Sequence, residues 1–426
     1  MANPRKSAVK ALIKVDADGG YSNLVIDNVI EQDGLERNDA SLATALFYGV
    51  LDRKITIDYI LSKYSKQPIK KLPYMVSATL RIGVYQLLYM DRIPAFAAIN
   101  ESVTIVKRSK NSKAAGYVNA ILRSVDRERN TVIPDDDSLK SISIRFSFPE
   151  WIVSRLINQY GAEKAKAVFE AMLSKSSVYL RVNTTKCNAD TLIKKLAEEN
   201  VTAEKTFVPD SLKITEISSA VDKLNCYKNG LFHVQDLSSQ LCAASLDATE
   251  NMRVLDICAA PGGKTFTAAE MMNGTGEIVS CDLYDHRTKL IFDGAKRLSL
   301  KNVKAHTADA AVFDLSLGEF DRVLCDAPCS GLGIMGRKPD IKYKDEKEIA
   351  DLPSVQYKIL NNAAKYVKKN GKLVYSTCTL LKEENEDVFG RFIENNPNFK
   401  SLSVKTLLPC ENETDGFFIA VAERID

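Results

Sequence analysis

The stretch RVLDICAAPGGKTFTAAEMM, residues 253–272, decides the fold. A strand-like run, RVLDICAA, enters a turn that carries Gly262 and Gly263 and continues as the helix TFTAAEMM. Glycine lets a ligand approach the backbone closely, and an opening helix presents amides that have no partner within it. Two nucleotide readings fail on spacing. A P-loop needs glycine five residues before the one that precedes its lysine; Cys258 stands there. The dinucleotide fingerprint GxGxxG is also absent. A plain strand-to-helix turn remains the other reading of this motif on its own.

Working outward, GEIVSCDL, NVKAHTAD, FDRVLCDA and GKLVYSTC read as further strands. Helical segments such as DHRTKLIFDGAKRLSL and VQYKILNNAAKYVKK separate them. Strands alternating with helices predict a doubly wound, mostly parallel sheet with helices on both faces. Ligands in such sheets lie outside the carboxyl ends of the strands. Asp282 ends the run after the glycine turn and is placed to accept hydrogen bonds from two ribose hydroxyls. Asp309 closes the next run; alone, it reads equally well as a helix N-cap. Together, loop and acids describe a site for an adenosine-like ligand.

Two thiols mark the same edge. Cys329 follows Asp326 and Pro328 in VLCDAPCSGLG, residues 323–333, and Cys378 follows the strand in KLVYSTCTL, residues 372–380. One such cysteine would be read as a buried core thiol. Two at the ends of strands of one sheet, with a carboxylate beside one, read as chemistry.

At 426 residues the chain is long enough for about three domains. Apolar residues at 45% and charged residues at 27% describe an ordinary globular protein. No run approaches the roughly 18 apolar residues of a membrane span, and MANPRKSAVKALIKVDADGG lacks the apolar core of a secretory signal. A cytoplasmic protein without membrane contact is expected. The nine cysteines and three histidines form no close pairs, so no metal site is expected. Net charge is +3, but residues 1–130 carry 20 basic against 13 acidic residues, leaving 38 against 42 for the remainder. The front part is the candidate polyanion contact, with a solvated helical surface as the alternative.

That front part, residues 1–130, reads as helices throughout. LATALFYGVLDRKITIDYILSKY and LRIGVYQLLYM repeat apolar residues three and four apart. Pro94 breaks the chain, AAINESVTIVKRSK restarts it with Asn100 as the expected cap, and GYVNAILRSVDRER closes it. TVIPDDDSLK, from Thr131 to Lys140, reads as a linker. VYLRVN, NADTLIKKLAEENV, SLKITEI and GLFHVQD then form a small α/β domain, giving expected domains at 1–130, 131–235 and 236–426.

LDICAAPGGKT, CDAPCSGLG and YSTCTLLKEENE resemble the motifs of S-adenosylmethionine-dependent RNA cytosine-5 methyltransferases. DASLATALFYGVLDRKITID, LRIGVYQLLYMDRIPAFAAINESV and GYVNAILR resemble a NusB-like domain, and DGFFIA, from Asp415 to Ala420, fits as well. The whole chain resembles the RsmB/Sun (Fmu) family, which methylates small-subunit ribosomal RNA. The resemblance implies a Rossmann-like methyltransferase domain preceded by a small α/β domain and an all-α NusB-like domain. It places the cofactor loop on Cys258, Ala259, Ala260, Pro261, Gly262, Gly263 and Lys264. The ribose acid falls on Asp282, the adenine-side acid on Asp309, and a further cofactor-side and catalytic acid on Asp326. It makes Cys378 the nucleophile and gives Cys329 the task of assisting release. The implied cofactor is S-adenosyl-L-methionine and the implied partner small-subunit ribosomal RNA, with the protein acting as a monomer. Transfer RNA as substrate, or a non-catalytic RNA-binding assembly factor, are the alternatives.

The chemistry asks for these residue types. Carbon 5 of cytosine is a poor nucleophile; a thiolate added at carbon 6 turns the ring into an enamine, and covalent catalysis splits one hard step into easier ones. The thiolate is the attacking form, and Lys264, Arg337 and Lys338 are candidates to favour it. In the DNA cytosine methyltransferases the PC cysteine attacks, so the motif pair alone does not choose between Cys329 and Cys378. Asp326 is assigned to hydrogen bonding with the cytosine ring. The base must leave its stack. GRKPDIKYK, from Gly336 to Lys344, offers Arg337, Lys338, Lys342 and Lys344 to phosphates and Tyr343 to a base; Lys107, Arg108, Lys110 and Lys113 form a second basic patch.

Overall fold

The apolar stripes of the front part are buried where helices cross. The computed structural model describes residues 3–18, 22–129, 133–174 and 177–426; Thr131 and Val132 of the expected linker lie outside them. The chain divides into two units, Met1–Leu173 with Met335–Lys344, and Ser174–Ile334 with Asp345–Asp426.

In the first unit the helices Pro4–Asp18, Ser22–Asp33, Arg37–Tyr64, Tyr74–Tyr89, Ala95–Lys107 and Ala115–Arg127 share one core, in which Leu46, Phe47, Leu80, Val84 and Leu122 are fully buried. Among the described residues up to 129 there is no strand. Helices Tyr74–Tyr89 and Ala115–Arg127 touch at Gly83, where a Cβ would sit 2.7 Å from the Leu122 side chain. Arg81 enters the core with its charge answered: its guanidinium reaches Asp58 at 2.7 and 2.9 Å and Asp16 at 2.7 Å. Asn100 does not cap a helix. The helix starts at Ala95, because Pro94 already holds a fixed φ of −61° and its carbonyl accepts from Ala97 and Ala98. Three further helices, Leu139–Phe146, Glu150–Tyr160 and Ala162–Leu173, complete the unit.

The segment Met335–Lys344 overturns an expectation. Lys342 is fully buried, with Nζ 2.6 Å from Asp52 and 4.0 Å from the centre of the Phe148 ring. Tyr343 donates its hydroxyl to the Leu51 carbonyl at 2.7 Å, and the Lys54 ammonium stands over its ring. Neither is offered to RNA. Both peg the segment into the helical unit, and a basic, aromatic sequence does not distinguish a peg from a nucleic-acid contact.

The second unit holds two sheets. β1 (Val178–Val182), β2 (Val201–Lys205), β3 (Ser211–Ile217) and β4 (Phe232–Val234) pair antiparallel in the order β2-β3-β1-β4. Asn188 caps the intervening helix Ala189–Glu198 through a bond from Thr191 N. The larger sheet comprises β5 (Arg253–Asp256), β6 (Glu277–Asp282), β7 (Val303–Thr307), β8 (Phe320–Asp326), β9 (Val367–Thr377), β10 (Phe399–Leu407) and β11 (Phe417–Arg424). Its order is β10-β11-β9-β8-β5-β6-β7, with β9 through β7 parallel and β10 and β11 antiparallel. Side chains alternate between two cores, Leu255, Val323 and Tyr375 on one face, Val254, Leu324 and Val374 on the other. That is a doubly wound sheet with both faces covered. Among the described residues no helix is long and apolar enough to cross a membrane.

Candidate active site

The sheet order brings the motif residues to one edge. β8 lies between β5 and β9, and β6 flanks β5. Asp256, Asp282 and Asp326 each end a parallel strand and so line the carboxyl edge. The register of β8 and β9 sets Asp326 opposite Ser376. Three residues beyond Asp326 and two beyond Ser376, the chains reach Cys329 and Cys378. Their sulfurs lie 3.2 Å apart, both half-buried.

The turn after β5 rises through Cys258, Ala259, Ala260 and Pro261 to Gly262, which holds φ +109° and starts the helix Gly263–Met271. A Cβ there would meet the Phe266 ring at 2.4 Å, so only glycine fits. The Cys258 thiol is raised well above its usual range by burial and by the neighbouring charges of Cys325 and the strand-end aspartates. It is a wall of the loop, not a nucleophile.

Asp282 is buried and points into a local frame. Tyr284 N donates to Oδ1 at 3.3 Å, and Arg287 Nη1 stands 3.3 Å from Oδ2 while its Nη2 donates to the Ala260 carbonyl at 3.0 Å. Arg287 thus ties the candidate ribose acid to the cofactor loop. Sequence reasoning passed over Arg287, although it stands in the CDLYDHR run. Asp309 is exposed, beyond the end of β7, and no helix follows it; its Oδ1 accepts from Ala311 N at 2.9 Å within a turn. The N-cap alternative is not realised.

Asp326 is held from two sides. Lys264 Nζ, from the glycine loop, lies 2.7 Å from Oδ2, and the Ser376 hydroxyl donates to Oδ1 at 2.8 Å. Burial is the strongest single influence on the Lys264 ammonium and works against it, but the charge and hydrogen bond of Asp326, together with Cys242 and Cys378, outweigh it and raise its pKa. Lys264, one of the cations considered for the thiolate, pairs with Asp326, and its charge also interacts with Cys378. Cys329 is the opposite case. Its hydrogen bond with Cys378, its burial, and the charges of Cys378, Glu384 and Asp326 raise its thiol well above the usual range. Behind the loop, Asp256 is 2% exposed, accepts from Thr265 Oγ1 at 2.7 Å, and is pushed up to about 7 by burial.

The GLG run after Cys329 and the DGF run near the end meet beside this edge. Gly333 N donates to the Cys378 carbonyl at 2.9 Å, and Gly416 N to the Gly333 carbonyl at 2.9 Å. A Cβ on Gly333 would fall 1.9 Å from the Gly416 oxygen. Backbone therefore packs on backbone at the Cys378 turn, which explains both glycines.

Three family models match the chain. The model described as 16S rRNA methyltransferase RsmB/F matches residues 243–423, the NusB family matches 2–127, and the ferredoxin-like domain of RsmF/B-like methyltransferases matches 148–220. The probable ribosomal RNA small subunit methyltransferase B of Bacillus subtilis is 38% identical over 414 residues, covering 95% of this chain and 91% of that protein. Its namesake in Synechocystis is 31% identical over 442 residues, with 99% of each chain covered. Among solved structures, that of PH0851 superposes with a TM-score of 0.82 at 26% identity, over 98% of both chains.

Proposed function

The chain belongs to the RsmB/F family of 16S rRNA methyltransferases, and from that membership we propose that it methylates carbon 5 of a cytosine in small-subunit ribosomal RNA through a covalent thiol adduct. The observation that carries the proposal is the pair of sulfurs 3.2 Å apart at the strand edge that also holds the Lys264–Asp326 ion pair.

The residues present fit S-adenosylmethionine. Gly262 leaves the loop backbone without a side chain at its turn, and Asp282 is oriented by Arg287 toward the same edge. Residues Cys258 through Lys264 would cradle the cofactor, Asp282 would take the ribose hydroxyls, Asp309 would lie on the adenine side and Asp326 would border the reacting end. When bound, it supplies an electrophilic methyl carbon on a sulfonium. The Cys378 thiolate, favoured by the Lys264 charge, bonds to carbon 6 of the base, and carbon 5 gains the nucleophilicity it lacks. Asp326 accepts a hydrogen bond from the cytosine ring and steadies its protonated form. Once carbon 5 has given its proton to water, the bond between sulfur and carbon 6 breaks, Cys378 leaves as a thiolate, and the Cys329 S–H donates a hydrogen bond to it that opposes re-addition.

The division into domains at 1–130, 131–235 and 236–426 belongs to the same proposal, in which the NusB-like part holds RNA. Lys107, Arg108, Lys110 and Lys113 are all exposed on it. The protein acts in the cytoplasm as a monomer. The test is incubation of the purified protein with unmodified small-subunit transcript, a transfer RNA control and a labelled methyl donor, followed by bisulfite mapping. One protected cytosine in the ribosomal transcript is expected, and label confined to transfer RNA would overturn the assignment.

A further inference from the structure

The motif YSTCTLLKEENE continues past Cys378, and its last residues have no part in the chemistry above. Glu384 is 2% exposed. Its Oε2 accepts from Ser330 N at 2.9 Å and from Gln356 Nε2 at 2.8 Å, and its Oε1 accepts from Ser330 Oγ at 2.5 Å. Gln356 Nε2 also donates to the Pro328 carbonyl at 3.0 Å. The carboxylate therefore holds the chain after Cys329 directly and the chain before it through Gln356. Asn385, fully buried, does the same for Cys378: its Oδ1 accepts from Thr377 Oγ1, and its Nδ2 donates to the Thr379 carbonyl at 3.1 Å. The Ser330 and Thr379 hydroxyls close the frame at 2.7 Å.

Resting on the proposed reaction, we propose that Glu384 and Asn385 are positioning residues that splint the two thiols together, and that the charge of Glu384 leaves the proton on Cys329 so that Cys378 is the attacking sulfur. With three donors on its two oxygens, Glu384 is an acceptor throughout. Among the described residues it has no ion-pair partner, so its charge acts on its surroundings uncancelled. The titratable groups facing Cys329 are Cys378, Asp326, Glu384 and, on β9, Tyr375, whose hydroxyl donates to the Glu384 carbonyl at 2.6 Å. Lys264 is committed to Asp326 and is coupled to Cys378. The charged splint, Glu384, thus flanks Cys329, and the neutral one, Asn385, flanks Cys378. This asymmetry answers the choice that the two cysteine motifs leave open.

The experiment reads thiol reactivity in the full chain, without RNA or cofactor. Native protein is treated with iodoacetamide across a pH series, and labelled peptides are quantified by mass spectrometry. Fully buried Cys242 serves as the reporter of intact fold. Wild type is expected to label Cys378 before Cys329. In Glu384→Gln the Cys329 labelling midpoint is expected to fall by about one pH unit, with a roughly tenfold rise in its labelling relative to Cys378, while Cys242 stays unlabelled. Glu384→Asp, which keeps the charge, is expected to keep the wild-type labelling ratio. The inference is overturned by wild-type protein that labels Cys329 first near neutral pH, by a folded Glu384→Gln whose Cys329-to-Cys378 labelling ratio is unchanged, or by Glu384→Asp that behaves as Glu384→Gln. A protein that shows the expected order but transfers no methyl group to RNA would instead overturn the proposed reaction.

Discussion

Asp326 and Ser376 face each other across adjacent parallel strands, and the Ser376 hydroxyl donates to Asp326 at 2.8 Å while Lys264 takes the other oxygen at 2.7 Å. The carboxylate is thereby aimed before any substrate arrives. Asp326→Asn removes the charge that Lys264 answers and places an amide where the base should find an acceptor. Single-turnover methyl transfer is expected to slow by about 100-fold or more. Ser376→Ala leaves the charge in place and removes one aiming bond, so a loss of roughly tenfold, near 1.4 kcal/mol, is expected. Asp326→Asn with full turnover would remove the residue from the chemistry.

RNA carrying 5-fluorocytosine has no proton to lose at carbon 5, so the thiol adduct persists. Cys378→Ala is expected to give no covalent complex on a denaturing gel. Cys329→Ala is expected to retain one, because the bond to carbon 6 forms without it. The reverse pattern would exchange the roles of the two sulfurs.

The strand edge was legible because its residues sit at strand ends, where an apolar run stopping at Asp or Cys marks both the element and its carboxyl terminus. The partnerships were not. Lys264 was named only for its place beside the motif, and nothing in the sequence says that it crosses to Asp326. Glu384 and Asn385 lie within a quoted motif but received no role from it, and only the fold reveals their burial. Lys342 and Tyr343 erred in the other direction, since a basic aromatic run gives no sign that a helix waits to receive it. β10 escaped notice because most of FKSLSVKTL is exposed and carries no apolar run.

Asp256 makes stability depend on pH. Burial raises its carboxyl from 3.8 to about 7 in the folded protein. The folded state therefore binds this proton more tightly than the unfolded chain does. The contribution is fully present below the unfolded value and is lost as pH rises through the folded one, by at most about 4 kcal/mol for roughly three pH units. Asp256→Asn removes the penalty of charging a buried group. Its melting temperature relative to wild type is expected to rise on going from about pH 5 to about pH 8. An offset that is constant with pH would show that Asp256 does not titrate in that window.

Lys342→Met tests the peg. It leaves Asp52, which is 21% exposed, without its ammonium. The expected cost is about 2–3 kcal/mol, below the ~3–5 of a fully buried pair because water reaches Asp52. Chemical denaturation should reveal this destabilisation, while the salt dependence of RNA binding should be unchanged. A variant of normal stability with weakened RNA binding would return Lys342 to the nucleic-acid role first expected of it.

The exposed patch makes the contrasting claim. Lys107, Arg108, Lys110 and Lys113 have no burial to explain them, and cations on a solvated face that meet phosphates release counterions on binding. Replacing all four with glutamine should weaken RNA binding at low salt. It should also flatten the slope of log affinity against log salt by about 3, at roughly 0.7 for each phosphate of single-stranded RNA that is no longer neutralised. Thermal stability should barely move, since exposed charges contribute little to folding. A slope unchanged by the fourfold substitution would assign the patch to solvent alone and move RNA binding by the helical unit to another of its faces.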